Sequence, residues 1–308
     1  MPELPEVQTT VNGLNETVIN KKIQSLWSDL PTKNHSRKNE IKDFSFWNSF
    51  KKKVVGATIT LAQRRGKNIL IELHNGFTIL IHMKMTGHLM FGNYRRATKD
   101  DGRPKHSWTW WSEAPELQDP FNRFIHFVVT FTDETSLVFC DARKFGSISL
   151  VESNKTYLAK SLKSLGPDAL EDELPWKEIK TRLMKQKSKA IKSVLLDQTL
   201  IAGIGNIYSD EILWLSNIHP LRTPSELSDI EWKSLTNSTK IALHKGLAFG
   251  GDSTSDYRNI YGKHGEFHHA HNAYQLTGKK CNKKNCKGTI QRRVVGGRSA
   301  HFCGIHQK

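Results

Sequence analysis

The sequence predicts an α+β chain of several domains: an N-terminal helix with a β-sandwich or barrel, then a helical domain, then a β-hairpin ribbon that holds zinc. Three observations predict it. Residues 15–150 run in apolar–polar alternation, residues 175–247 change to helical spacing, and three of the four cysteines gather between 281 and 303.

The elements follow in order from local chemistry. In LPEVQTTVNGL, Pro5 can open a helix at its first position and Glu6 sits where the helix dipole favours negative charge. Leu4, Val7, Val11 and Leu14 then recur at helical spacing, while Pro2 and Glu3 take no part in the pattern. KNILIELHNGFTILIHM alternates Ile69, Ile71 and Leu73, turns at Asn75-Gly76 and resumes with Phe77, Ile79 and Ile81, which predicts a hairpin. FIHFVVTFTDETSLVFC predicts a second, with Thr132 to Ser136 as its turn. Between them the Trp-rich stretch 94–120 reads as an inserted loop.

Past residue 170, Ile191, Val194 and Leu195 and then Ile207, Glu211, Ile212 and Leu215 carry helical spacing. A helix expected to end near Leu200 is broken by Gly203-Ile204-Gly205, and a second begins at Asn206. Residues 248–274 mix Gly, Ser, Asp and His without period and read as a loop. The expected domains are therefore 1–150, 151–274 and 275–308.

The 46 Lys and Arg against 30 Asp and Glu give a net charge of +16, the footprint of a polyanion binder. No segment approaches the roughly 18–20 apolar residues of a membrane span. Residues 1–30 carry charge throughout with no apolar stretch, so no leader and a cytoplasmic location are expected. Cys281-x4-Cys286 and Cys303-x2-His306 are two close pairs suited to a tetrahedral Zn²⁺, with GTIQRRVVGGRSAHF as a hairpin between them. Four protein ligands leave no open position, so the metal is structural; His301 competes with His306 for the fourth place. The N–H groups at the start of the helix at Asn206, with the Asn206 side chain, can hold a phosphate. Lys67 stands at a hairpin mouth beside Arg64 and Arg65, and Arg143 and Phe145, two apart on a strand, share a face.

PELPEV (2–7), RRGK (64–67), MTG (85–87), D-x-R-K-F-G (141–146), LGPDAL (165–170) and IK-x-x-LLDQ-x-x-IAGIGNIYSDEIL (191–213) occur in one order, followed by the ribbon. Together they resemble the formamidopyrimidine-DNA glycosylases of the Fpg/Nei superfamily over almost the whole chain. The resemblance implies a helix-two-turn-helix domain and a base-excision enzyme with AP-lyase activity on duplex DNA that contains oxidised bases; size and self-contained motifs suggest a monomer. It implies that Met1 is removed and that the secondary amine of Pro2 attacks C1′ of the damaged nucleotide, forming a Schiff base from which β- and δ-elimination cleave the strand. Glu3 would shuttle protons, Glu6 would help position the site, and Lys67 would contact phosphates around the lesion. Met85, Arg143 and Phe145 would fill the gap left by the flipped nucleotide. Lys192, Asn206 and Arg298 would contact phosphate or lesion, and Tyr257 and Arg258 would lie on a lesion-covering loop at about 250–265.

The expected substrates are 8-oxoguanine and formamidopyrimidines. An oxidised-pyrimidine glycosylase and a catalytically silent DNA-binding module are the alternatives. The sequence departs from the family in its C-x4-C and C-x2-H ribbon, its insertion 94–120 and its His-rich covering loop.

Overall fold

The computed structural model describes residues 1–97, 108–110, 115–170 and 174–308. Much of the insertion, 98–107 and 111–114, thus lies outside the described residues. The chain divides into two compact units, one of Met1–Pro2, Glu6–Lys163 and Gly250–Gly265, the other of Glu3–Pro5, Ser164–Phe249 and Glu266–Lys308. These bounds differ from the expected ones: the ribbon groups with the helical residues, and 250–265 group with the first unit. No helix among the described residues is long and apolar enough to cross a membrane.

Along the first unit run α1 (Leu4–Thr17, entered at its N-terminal end from the other unit), β1 (Ile23–Ser28), α2 (Phe44–Val54), β2 (Ile59–Arg65), β3 (Asn68–Leu73) and β4 (Phe77–His82). They are followed by β5 (Gly87–Gly92), β6 (Tyr94–Arg96), β7 (Trp108–Trp110), β8 (Ile125–Phe131), β9 (Ser136–Asp141), β10 (Ser147–Glu152) and α3 (Lys160–Lys163). Two antiparallel sheets, ordered β1-β8-β9-β5 and β10-β4-β3-β2, face one core, as a sandwich does. The alternation explains the arrangement. Ile69, Ile71 and Leu73 of β3 and Ile79 and Ile81 of β4 point inward to meet Phe127, Val129, Phe131 and Phe139 of the other sheet. Gly76 closes the β3–β4 turn at φ 82, where a side chain would be strained. Helix α1 adds Val7, Val11 and Leu14 to this core.

β9 is buried along its whole length, because Val138 and Cys140 face a second apolar cluster with Met90, Ile125 and Val128. Tyr94, Trp108 and Leu117 complete that cluster, so the described parts of the insertion cover the outer face of a sheet.

The second unit contains α4 (Trp176–Leu183), α5 (Ile191–Leu195), α6 (Asn206–Ser216), α7 (Asp229–Ala248) and the ribbon β11 (Ile290–Val295) and β12 (Arg298–Cys303). The helix expected to reach Leu200 ends at Leu195 instead. The Asp197 carboxylate accepts from Thr199 N at 2.9 Å and draws the chain into a turn. LGPDAL then finds its purpose: Ala169 N donates to Ala202 O and Ala202 N to Pro167 O at 2.9 and 2.8 Å, pinning the loop between α5 and α6.

Candidate active site

Glu3 is 2% exposed and caps α6: Oε1 accepts from Ile207 N at 2.9 Å and Oε2 from Tyr208 N at 3.3 Å. Two peptide N–H groups and the positive end of the helix dipole thus face one carboxylate. Gly203 and Gly205 allow the approach, since Cβ atoms there would lie 2.3 Å from Leu4 and 2.2 Å from the Glu3 carboxyl. The N–H groups expected to hold a phosphate are therefore taken by Glu3. No spacing in the sequence signals a partner so far away. Pro2 is buried, whereas Met1 is 41% exposed.

Glu6, also buried, is met by the segment 250–265 of its own unit. Its Oε1 accepts from Asp252 N at 2.8 Å, and a Cβ on Gly251 would lie 2.9 Å from its Cγ. Tyr257 and Arg258 differ from expectation. Both are buried, Tyr257 donating its hydroxyl to Glu6 O at 3.1 Å and Arg258 spending its guanidinium on Asp119 and nearby carbonyls. Burial pushes the Tyr257 phenol well above its ordinary range. Neither side chain offers a surface to DNA in this arrangement.

In the first unit the structure brings Met85, Arg143 and Phe145 together. Arg143 Nη1 lies 3.4 Å from Met85 Sδ, and its guanidinium sits 4.5 Å from the centre of the Phe145 ring. Met85 and Phe145 are 41% and 48% exposed, apolar side chains standing free of any core. Arg143 and Phe145 are not on a strand, however, but in the turn between β9 and β10. The buried Asp141 carboxylate ends the strand by accepting from Gly146 N at 2.6 Å and from Arg143 N at 3.3 Å. It also accepts from the Thr86 hydroxyl, so one carboxylate ties the loop of Met85 to the turn of Arg143.

Lys67 follows Gly66, at φ 57, in the β2–β3 turn and is 6% exposed. The ring of His82 lies in its field. Burial, then Lys84 and Lys67, push that imidazole from 6.5 down to about 3, so it stays neutral in a cationic neighbourhood.

In the second unit Lys192 departs most clearly from its expected place. It is fully buried, ion-paired to Asp210 Oδ1 at 2.5 Å and donating to Ser209 Oγ and Asn206 O at 3.0 and 3.2 Å. Burial draws its ammonium below the usual lysine range. A phosphate contact needs an exposed ammonium, and this one is internal. Asn206 opens α6 with a buried Oδ1 that has no hydrogen-bond partner. Arg298 is exposed at the ribbon tip, beyond Gly296 and Gly297 at φ 56 and 75. A Cβ on Gly296 would stand 2.4 Å from Ser193 Oγ, so the tip rests on α5.

Cys281, Cys286, Cys303 and His306 present ligand atoms within 4.8 Å of one another. Cys281 Sγ is 3.4 Å from His306 Nδ1, and Cys286 Sγ is 3.6 Å from Cys303 Sγ. Such a set can hold a metal ion. Trp214 fixes it from behind, donating Nε1–H to Cys281 Sγ at 3.4 Å while its carbonyl lies 3.2 Å from His306 Nε2. His301 stays outside, with Nδ1 2.9 Å from Asp210 Oδ2.

Two family models match this chain, the formamidopyrimidine-DNA glycosylase N-terminal domain over residues 1–148 and the formamidopyrimidine-DNA glycosylase H2TH domain over 165–258. A formamidopyrimidine-DNA glycosylase from Ligilactobacillus salivarius is 35% identical over 306 residues, 98% of this chain and 97% of that protein. Among solved structures, Lactococcus lactis Fpg in complex with abasic-site DNA superposes at a TM-score of 0.81, with 30% identity and 99% of both chains covered. The same organism's wild-type protein with DNA containing N7-benzyl-Fapy-dG gives 0.80 at 30% identity over 100% of both.

Proposed function

Given that this chain belongs to the formamidopyrimidine-DNA glycosylase family, we propose that it removes oxidised purines, 8-oxoguanine and formamidopyrimidines, from duplex DNA and cleaves the strand at the resulting abasic site. Removal of Met1 frees the secondary amine of Pro2. Its lone pair forms an N–C1′ bond as the bond from C1′ to the base breaks, and the base departs with a proton. Opening of the sugar gives an iminium. Loss of a C2′ proton then expels the 3′ phosphate, and a second elimination expels the 5′ phosphate.

The observation that carries this reading is the buried carboxylate of Glu3, fixed by two peptide N–H groups and next in the chain to Pro2. An α-amino group, ordinarily titrating at about 7.7–8.0, supplies a neutral nucleophile far more readily than a lysine at about 10.4. The joined Met85, Arg143 and Phe145 support base flipping, since exposed fillers offset the cost of an emptied stack. The Lactococcus lactis complexes with abasic-site and N7-benzyl-Fapy-dG DNA support a damaged-base substrate, and a complex of the same protein with an oxidised pyrimidine keeps that alternative in the test. The four donors of the ribbon suit one structural Zn²⁺, holding β11 and β12 to the end of α6.

Borohydride trapping on an 8-oxoguanine duplex tests the proposal. A covalent adduct is expected with the wild-type chain, and none with Pro2→Gly when Met1 is retained, although that variant still binds. Trapping with Met1 in place would reassign the nucleophile to another amine, Met1's own or a lysine, and tight binding with no adduct on any lesion would leave a silent DNA-binding module.

A further inference from the structure

The far end of the inserted stretch forms two consecutive 3₁₀ turns, Pro115–Gln118 and Pro120–Arg123. Asp119 stands between them and caps the second, its Oδ1 accepting from Phe121 N at 2.8 Å. Its other oxygen faces segment 250–265. Oδ2 accepts from Nε and Nη2 of Arg258 at 3.0 and 2.8 Å and lies 3.0 Å from His264 Nε2. The rest of the guanidinium is also engaged: Nη1 donates to the carbonyls of Ser255 and Tyr257 at 3.1 and 2.8 Å, and the Phe121 ring lies 5.1 Å away.

Neighbouring contacts run the same way. Lys263 Nζ is 3.4 Å from Glu116 Oε1, and Gly262 passes so near that a Cβ there would meet the Glu116 carbonyl at 2.9 Å. On its other side the segment lies along α1. Ile260 would meet a Cβ on Gly13 at 2.3 Å, the Tyr261 hydroxyl donates to Glu16 at 2.8 Å, and Asp252 N donates to Glu6. Exposed ion pairs hold a loop weakly, but Arg258 is 2% exposed, and removing its partner would leave an uncompensated buried charge. Among the described residues, Asp119 is therefore the most buried ionic tie between the insertion and this segment.

We propose that Asp119 is a positioning residue: through Arg258 and His264 it fixes segment 250–265 on α1 in the conformation that receives the damaged base. The proposal rests on the glycosylase reading above. It separates two steps. Excision needs the base held and therefore needs the anchored segment, whereas strand cleavage at a preformed abasic site has no base to hold.

The test uses full-length Asp119→Asn and Asp119→Glu on an 8-oxoguanine duplex and on a preformed abasic duplex. For Asp119→Asn the KM for the lesion duplex is expected to rise about tenfold with kcat within about twofold. Abasic cleavage stays unchanged, and trypsin cuts the native protein after Arg258 faster than in wild type. Asp119→Glu, which keeps the charge, restores KM and trypsin resistance. An unaltered KM overturns the proposal, as does an equal loss of both activities, the mark of a residue that serves only folding. A wild-type protein inert on both duplexes overturns the glycosylase reading instead.

Discussion

At Gly146 the backbone passes so close to Phe139 that a Cβ would sit 2.4 Å from the ring, and a Cβ on Gly87 would sit 2.6 Å from the same ring. The loops that carry Met85 and Phe145 therefore share one support as well as one tie, the Asp141 carboxylate. Gly146→Ala should cost about 1–3 kcal/mol by overpacking. It should also tilt the turn of Arg143, lowering excision from an 8-oxoguanine duplex while binding of undamaged duplex holds. Calorimetry and single-turnover excision measure the two effects, and wild-type values in both would mean that the ring yields. At this scale the sequence is half legible. The residue types of the Met85, Arg143 and Phe145 cluster can be read from it, but alternate spacing suggested a strand where a buried carboxylate makes a turn. Lys192 and Arg258 were legible only as cations, since a letter does not say that an aspartate elsewhere in the chain has claimed the charge.

Elements held together by neighbours in sequence were easier to read than those held from afar. The β3–β4 hairpin follows from its alternation and its Asn-Gly turn, because its stabilising contacts are local and one face is buried. The ribbon was legible for a similar reason: cysteines in close pairs have few other uses in a chain of this charge. The choice between His301 and His306 was not legible, since only the structure shows His301 turned to Asp210 and His306 beside the thiols. Removal of the metal is the test at this scale. Chelation, or Cys281→Ala, is expected to release one zinc per chain and lower the melting temperature of the second unit. A structural site of this kind is worth on the order of 10 kcal/mol of apparent binding free energy. Metal analysis with calorimetry checks this, and unaltered melting after full metal loss would show a ribbon that folds without it. The cap on α6 was not legible at all, because Glu3 and its donors are 204 residues apart.

Over the whole molecule the charge of +16 suits a polyanionic partner, while two imidazoles held neutral contribute to the loss of stability in acid. His88 lies 1% exposed, and burial pushes its imidazole down to about 4 against hydrogen bonding with Asn122 and Thr86; His82 stands at about 3. Below pH 6.5 the unfolded chain takes up protons on these rings and the native chain does not, so stability falls as pH drops toward 4. For His88 the loss reaches about 3 kcal/mol at the lower end. Melting curves from pH 7.5 to 4.5 should slope accordingly, with His88→Gln flattening the slope; parallel curves would remove His88 from the account.

The attachment of Glu3 to α6 also bears on biosynthesis. A ribosome adds about 5–20 residues per second, so roughly 10–40 s separate Glu3 from the donors that will hold it. Through that interval Glu3 lacks its donors on α6, and an aminopeptidase can reach Met1. On the proposed reading, in which Pro2 is the nucleophile, its amine is uncovered early while the neighbouring carboxylate is stationed late, so the end of the chain is complete only after α6 has been made.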